Sequence, residues 1–399
     1  MSITYDRTLI FKRAMKFMMR CIGIFICLFV AFSVTASSHF SSCQLHHCAV
    51  VVDAGSTGSR IHLYAYDFDS NSNPIQINEL WSKKLKPGLS TIEPQQTVID
   101  AYLTALFDQA PVQNVPVYFY ATGGMRLLSY PNQQLYYQSL HEWFDKQTQW
   151  RLIEAKTITG VEEGVYGWLM MNYQLGTLSS SDKPLVGLMD MGGASVQITY
   201  PVQEIDTINQ QDLVQLDIYG RHLSLFVHSF LGLGATEVSH QFLDEESCFP
   251  EGYPLPNGLA GHGDEKTCQQ DVANLIDKVH HVNHVVKPAL AANPVSTWYT
   301  IGGLSYMAKK EPFYFANNQM TNASLLSQAD DKVCHQPWSD LKTQYANNDY
   351  LFNYCLTAAY FYALMVDGYG LKPNDVVNYM PENQERDWTL GVVLSSGLH

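Results

Sequence analysis

Two short segments of this chain nearly repeat each other, and that repeat restricts the possible folds more than composition can. Val51-Val52-Asp53-Ala54-Gly55-Ser56-Thr57-Gly58-Ser59-Arg60 and Leu188-Met189-Asp190-Met191-Gly192-Gly193-Ala194-Ser195-Val196-Gln197-Ile198 each run an apolar strand into Asp-x-Gly and a small, hydroxyl-bearing turn. One such cluster is an ordinary turn. Two of them, each followed by β-branched residues, indicate a duplicated lobe with the loops facing across a cleft. Glycines let backbone N–H groups approach phosphate oxygens, hydroxyls add donors, and an aspartate at a strand end suits a hydrated divalent cation. The pair would hold one polyphosphate from both sides.

At 399 residues and 46% hydrophobic, the chain is long enough for two domains with sizeable cores. A formal net charge of −14, with no long Lys/Arg run, excludes a nucleic acid held through its backbone. An anionic nucleotide must instead be drawn in locally, by a cation and a few placed basic side chains. The N-terminus offers Lys12, Arg13, Lys16 and Arg20, the apolar stretch Cys21 to Phe32, and small residues up to Ala36. This reads as a signal peptide over residues 1–36; the apolar run is short of the about 18 residues a spanning helix needs. The expectation is therefore an exported protein, secreted or periplasmic, with no stable membrane anchor after cleavage, and a monomer. Of the 8 cysteines, those outside the signal are Cys43, Cys48, Cys248, Cys268, Cys334 and Cys355, an even number that suits disulfides after export. Nearest-neighbour pairing is the expectation. Zinc at His46-His47-Cys48, or at His280-His281 with His284, is the weaker alternative, since no Cys-x-x-Cys or His-Glu-x-x-His spacing accompanies either group.

Periodicity predicts a hairpin around Gly55 and Gly58, a helix over Pro94 to Ala110, and a buried-type strand Val115 to Tyr120 that delivers Ala121-Thr122-Gly123-Gly124-Met125-Arg126. A helix over Gln133 to Trp150 and a strand over Glu154 to Thr159 follow. Next, Gly160-Val161-Glu162-Glu163-Gly164 opens a helix at a strand's carboxyl end, where α/β proteins place chemistry. The second half nearly restarts the pattern: a hairpin at Gly192, a helix over Gly234 to Phe242, a long helical stretch Thr267 to Leu290, and a strand Thr297 to Ile301 that ends in Gly302-Gly303 as Tyr118 to Tyr120 leads to Gly123-Gly124. A helix is predicted over Tyr350 to Gly368, a helix N-cap at Pro373-Asn374-Asp375, and a glycosylation acceptor at Asn322-Ala323-Ser324. The lobes are expected at 37–160, joined by residues 368–399, and at 161–367.

Together these segments resemble the apyrase, or nucleoside triphosphate diphosphohydrolase, family within the actin, hexokinase and heat-shock ATPase superfamily. Its motifs match in order at Asp53 to Arg60, Ala121 to Leu127, Gly160 to Trp168, Asp190 to Gln197 and Gly302 onward, with further similarity at Leu351 to Leu371 and Trp388 to Gly391. The resemblance implies a two-lobed, duplicated α/β fold with an interlobe site. It implies Glu163 as the base that deprotonates the attacking water, with Ser195 and Gln197 positioning that water. Asp53 and Asp190 would hold Mg²⁺ or Ca²⁺ through water, with Thr122 and Trp388 nearby. Gly55, Ser56, Thr57, Gly58, Thr122, Arg126, Gly192, Gly193, Ala194 and Ser195 would bind phosphate. Tyr306, Tyr350 and Tyr354 would stack on the base; the predicted helix puts Tyr350 and Tyr354, at i and i+4, on one face. Nucleoside tri- and diphosphates are the implied substrates, with broad base tolerance because every base has a π-face.

The residues themselves ask for similar chemistry. Phosphoanhydride cleavage needs an in-line water and a carboxylate to hold it. Adjacent residues on a helix diverge by about 100°, so only one of Glu162 and Glu163 can face the cleft. Ser195 and Gln197, two apart in a strand, share a face. Other readings of the two-loop cleft are a sugar-type kinase, an exopolyphosphatase, or a nucleotide-gated switch or filament protein.

Overall fold

The computed structural model describes residues 42–111 and 114–395; the proposed signal peptide lies outside them. Two sheets carry the chain. The first has five strands in the order β3-β2-β1-β4-β5, formed by β1 (His47–Ala54), β2 (Ser59–Phe68), β3 (Pro74–Leu85), β4 (Pro116–Ala121) and β5 (Arg151–Thr157). The second has seven in the order β11-β12-β10-β6-β7-β9-β8: β6 (Gly187–Met191), β7 (Ser195–Pro201), β8 (Leu213–Ile218), β9 (Arg221–Leu231), β10 (Trp298–Gly302), β11 (Gln319–Thr321) and β12 (Val376–Tyr379).

The duplication anticipated from the two loops is a duplication of strand pairing. In the first sheet β1 pairs antiparallel with β2 and parallel with β4, and β2 pairs antiparallel with β3. In the second, β6 pairs antiparallel with β7 and parallel with β10, and β7 pairs antiparallel with β9. Strands β5 and β12 complete the match as parallel neighbours of β4 and β10, leaving β8 and β11 as additions at the edges. The short helices Gly123–Arg126 and Gly303–Ala308 follow β4 and β10 at equivalent places.

Helices cover the sheets and divide the apolar interior into three cores. One lies within the five-stranded sheet and the helices Gln96–Phe107 and Tyr130–Asp145, around Val52, Ile61, Leu103, Phe119 and Trp143. Another fills the far side of the seven-stranded sheet around Ile198, Phe226, Phe249, Phe361 and Leu364. The third joins the sheets: Val51, Tyr64 and Tyr120 from the first and Leu188, Leu225 and Val227 from the second share it with Trp168 and Leu169 of the helix Gly160–Gln174 and Val392 of the helix Thr389–Leu394. These two helices pack closely enough that a Cβ on Gly391 would lie 1.9 Å from the Tyr166 carbonyl oxygen.

Several local expectations needed correction. The stretch Tyr350 to Gly368 is not one helix: a 3₁₀ turn Leu351–Asn353 precedes the helix Tyr354–Ala363, which ends in a π turn Leu364–Gly368. The stretch Thr267 to Leu290 breaks at His281, whose φ of 52° is left-handed, between the helices Glu265–Asn274 and Val282–Ala292. Asp375 closes a turn rather than capping a helix, because Val376–Tyr379 finds a sheet partner in β10. For the same reason residues 368–399 divide, β12 joining the seven-stranded sheet and only the last helix lying against β1. Asn322 is fully buried with its amide donating to the Lys372 carbonyl, so it offers no glycan acceptor. Disulfides join Cys43 to Cys48, Cys248 to Cys268 and Cys334 to Cys355, the nearest-neighbour set. Among the described residues no helix is long and apolar enough to cross a membrane.

Candidate active site

The duplicated hairpins bring their turns together. A Cβ placed on Gly193 would lie 2.7 Å from Ser56 Oγ and 3.0 Å from Thr57 Cγ2, and one on Gly123 would lie 2.8 Å from Ser195 Oγ. Glycine is what permits this closeness. Asp53 and Asp190 stand near the carboxyl ends of the equivalent strands β1 and β6, where an α/β sheet presents its ligands. Thr122 follows β4, the parallel neighbour of β1, with its N–H bonded to the Ala54 carbonyl.

Glu162 and Glu163 separate as the helical turn requires. Thr159 caps the helix Gly160–Gln174 in a capping box with Glu162, whose other oxygen is 3.2 Å from Lys156 Nζ. Glu163 turns inward and is 8% exposed. Its Oε2 accepts from Arg126 Nη2 at 2.7 Å and from Gln197 Nε2 at 3.1 Å. Ser195 Oγ accepts from the same Arg126 nitrogen at 2.8 Å and from Gln197 at 3.0 Å. Because that oxygen already accepts twice, its own O–H remains available as a donor. Ser195 and Gln197 share one face of β7, as their spacing requires, and Ser229 on β9 completes the group with its Oγ 3.0 Å from Gln197 Nε2, whose two hydrogens have three oxygens within reach.

A second cluster of charge lies behind the first loop. The hairpin register sets Asp53 opposite Arg60, and strand alternation puts Arg60 and His62 on one face. Arg60 reaches Asp53 at 3.8 Å and Asp387 at 3.4 Å, while His62 lies between Asp387 at 3.6 Å and Glu79 at 3.4 Å. Asp387 lies outside the motifs that point to the site, next to Trp388. It closes the polar run Glu382 to Asp387, whose preceding residues are exposed or half-buried, so nothing in the sequence sets it apart. Trp388 is 6% exposed and stacks on Tyr166 with ring centroids 6.1 Å apart.

Burial, reinforced by Asp387, pushes the Asp53 carboxyl up to about 8. Burial followed by Glu163 raises Asp190 well above the ordinary carboxylate range. Glu163 is raised by burial against the pull of Arg126. Burial also opposes ionisation of Asp387, but His62 and Arg60 overcome it and hold that carboxyl low. Burial likewise opposes the charge on His62, yet Asp387 and Glu79 lift it to about 9. Asp53 Oδ1 is buried without a hydrogen-bond partner, and among the described residues no salt bridge reaches Asp190. Buried carboxylates that repel one another and lack donors fit a hydrated divalent cation.

The tyrosines expected at the base divide. Tyr306 and Tyr350 are each 42% exposed, with ring centroids 5.8 Å apart and planes at 81°. Lys86, from the segment after β3, lies 3.4 Å from the Tyr350 hydroxyl. Tyr354 does not join them: it is 3% exposed, its ring against Phe313 at 5.4 Å. Tyr350 precedes the helix that Tyr354 opens, so the expected shared helical face does not form.

A model of the GDA1/CD39 (nucleoside phosphatase) family matches residues 39–397. The chain is 26% identical over 415 residues to ectonucleoside triphosphate diphosphohydrolase 1 of Mus musculus, covering 87% of this chain and 80% of that protein. It is 28% identical to apyrase 1 of Arabidopsis thaliana, covering 87% and 84%. The crystal structure of a nucleoside triphosphate hydrolase from Neospora caninum has a TM-score of 0.56 at 15% identity, covering 87% of this chain and 92% of that one. A Ppx/GppA family member from Aquifex aeolicus scores 0.51 at 14% identity, covering 88% and 98%. At such identities the solved structures support the two-lobed α/β fold alone. With the family model spanning every described residue, this chain belongs to the GDA1/CD39 (nucleoside phosphatase) family.

Proposed function

We propose that this enzyme hydrolyses the terminal phosphoanhydride bond of nucleoside tri- and diphosphates, using water as acceptor and a divalent cation as cofactor. The observation that carries the reading is the convergence of Glu163, Ser195, Gln197 and Arg126 beside the paired loops, within hydrogen-bond distance of one another. Glu163 takes the proton of the attacking water on Oε1, since Oε2 is held by Arg126 and Gln197. The Ser195 hydroxyl, with its hydrogen unspent, and the Gln197 amide fix that water in line with the terminal phosphorus. Backbone N–H groups of Gly55 to Gly58 and Gly192 to Ser195, with the Ser56 and Thr57 hydroxyls, take the phosphate oxygens. Asp53 and Asp190, with Thr122 and Trp388 close by, would hold Mg²⁺ or Ca²⁺ through its waters, and the cation would supply charge against the phosphate oxygens. Tyr306 and Tyr350 offer the base a stacking surface that does not discriminate among bases.

Phosphoryl transfer passes through a loose transition state, so positioning and charge carry most of the acceleration, and general-base help contributes about 10²- to 10⁴-fold. Glu163→Gln should therefore lower phosphate release from ATP and ADP by at least about 100-fold while nucleotide affinity stays within about threefold. The assay contains no acceptor other than water, which separates hydrolysis from a kinase reaction, and includes polyphosphate as a competing substrate. Full turnover in Glu163→Gln, or activity confined to polyphosphate, overturns the proposal.

A further inference from the structure

We infer that Lys86 binds the inner phosphate of the substrate, the one esterified to the ribose, and so is a specificity-determining residue of the cleft; the inference rests on the cleft being a nucleotide site. The segment that carries Lys86 is fixed against the first loop. A Cβ on Gly58 would lie 3.5 Å from Lys86 Cγ and 3.4 Å from Lys84 Cε, and one on Gly88 would lie 2.2 Å from the Ser56 carbonyl oxygen. From that anchorage the Lys86 ammonium reaches across to the other half of the molecule, 3.4 Å from the Tyr350 hydroxyl and 5.7 Å from the centre of its ring. Tyr306 stands edge-on to the same ring. Lys86 thus runs from the proposed phosphate loop to the proposed stacking surface. A nucleotide with its base on Tyr306 and Tyr350 and its last phosphate at the paired loops must lead its ribose and inner phosphate past this ammonium.

The charge has no counter-ion. Among the described residues Lys86 meets no carboxylate, whereas Lys310, whose ammonium is 5.4 Å from the centre of the Tyr306 ring, is 3.3 Å from Glu382. Lys86 is exposed, and its contact with Tyr350 is longer than the about 2.9 Å of a well-formed N–H···O bond, so little holds the ammonium where it is. Its neighbours on the loop side are cations. Arg60 and Lys84 pair across β2 and β3, and partial desolvation, then Arg60 and Lys86, hold the Lys84 ammonium below its ordinary pKa. Cations crowded together without an anion, in a chain of net charge −14, favour the arrival of one.

The inner phosphate is the anion that fits. The ribose is neutral, and the terminal phosphate has the loops and the cation. Lysine holds phosphate as a point charge on a flexible stem, which lets the ammonium follow the inner phosphate as it shifts by one phosphate length between a triphosphate and a diphosphate.

The test reads binding without turnover, on the full mature chain with Mg²⁺, by titration calorimetry with α,β-methylene-ADP, a diphosphate whose bridge cannot be hydrolysed, and with adenosine, which has no phosphate. Lys86→Met should weaken α,β-methylene-ADP at least about tenfold and leave adenosine within about twofold of wild type. Lys86→Arg, which keeps the charge, should restore most of the lost affinity. In steady-state assays Lys86→Met should raise KM for ADP and ATP by more than it lowers kcat. Unchanged affinity for α,β-methylene-ADP in Lys86→Met overturns the inference. Equal weakening of the analogue and adenosine also overturns it, because the contact would then be to the nucleoside. Absence of phosphate release by wild type counts against the hydrolase reading instead, since the calorimetric comparison does not depend on catalysis.

Discussion

Arg126 donates at once to Glu163, the proposed base, and to Ser195, so its loss reaches both. Its guanidinium is the cation that opposes burial at Glu163, and the bond at 2.7 Å is charge-assisted on both sides. A base must be ionised to work. Removing the cation raises the Glu163 pKa further and shifts the acidic limb of the rate profile to higher pH. Arg126→Met is thus expected to move that limb upward by about one unit or more and to lower kcat at neutral pH, measured as kcat against pH at saturating nucleotide and Mg²⁺. An unmoved limb with reduced kcat would assign Arg126 to phosphate binding alone. Strand periodicity puts Ser195 and Gln197 on one face and helix geometry lets only one of Glu162 and Glu163 face the cleft; that Glu163 stands beside that pair is what the family resemblance implies. Spacing could not identify Ser229, which meets Gln197 only because β9 pairs with β7 in a particular register.

Among elements, the paired turns are the parts with the least tolerance. Gly193 faces the Ser56 and Thr57 hydroxyl-bearing side chains of the other loop, whereas Gly234 abuts the backbone of Gly193, where a Cβ would lie 2.2 Å from its carbonyl carbon. Gly193→Ala therefore pushes on side chains proposed to bind phosphate and leaves the strands in place. We expect kcat/KM for ATP to fall about tenfold or more, mostly through KM, because misplacing binding groups by about 1 Å is costly. Its melting temperature should stay within about 3 °C of wild type; steady-state kinetics and a thermal melt check both. Gly234→Ala should instead lower the melting temperature. The helix Gly160–Gln174 shows why an acidic pair at a helix start is ambiguous in sequence. Glu162 takes the capping role that both residues could fill, which leaves Glu163 for the cleft.

At the scale of the whole molecule, the C-terminal segment fastens the first sheet. Asp387 ties the buried His62 and the exposed Arg60 of β2 into one charged network, and Thr389 Oγ1 bonds the Tyr64 hydroxyl at 2.8 Å. His62 titrates at about 9 when folded against an ordinary 6.5, so folding takes up a proton. The stabilisation is full below about pH 6.5 and is lost as the pH rises through about 9. Its size, from the shift, is at most about 3 kcal/mol. Urea unfolding at pH 7 and pH 10 should show wild type losing stability, with His62→Asn starting lower and showing a shallower loss. Equal slopes would remove the imidazole from this fastening. The tail that supplies Asp387 lies more than 300 positions from β2 in sequence, yet within 3.6 Å of it in space.

The sequence by itself determined the duplicated Asp-x-Gly hairpins, the helix that sorts Glu162 from Glu163 and the shared strand face of Ser195 and Gln197, since each follows from local periodicity and turn chemistry. The nearest-neighbour cysteine pairing was legible as the simplest choice within short loops. Only the tertiary structure decided that Tyr354 is buried while Tyr306 and Tyr350 are exposed, that residues 376–379 are a strand, and that Asp387 faces Asp53 through Arg60. Those outcomes depend on which distant surface is left to pack against. A chain's local pattern records its own preferred geometry but not its eventual neighbour.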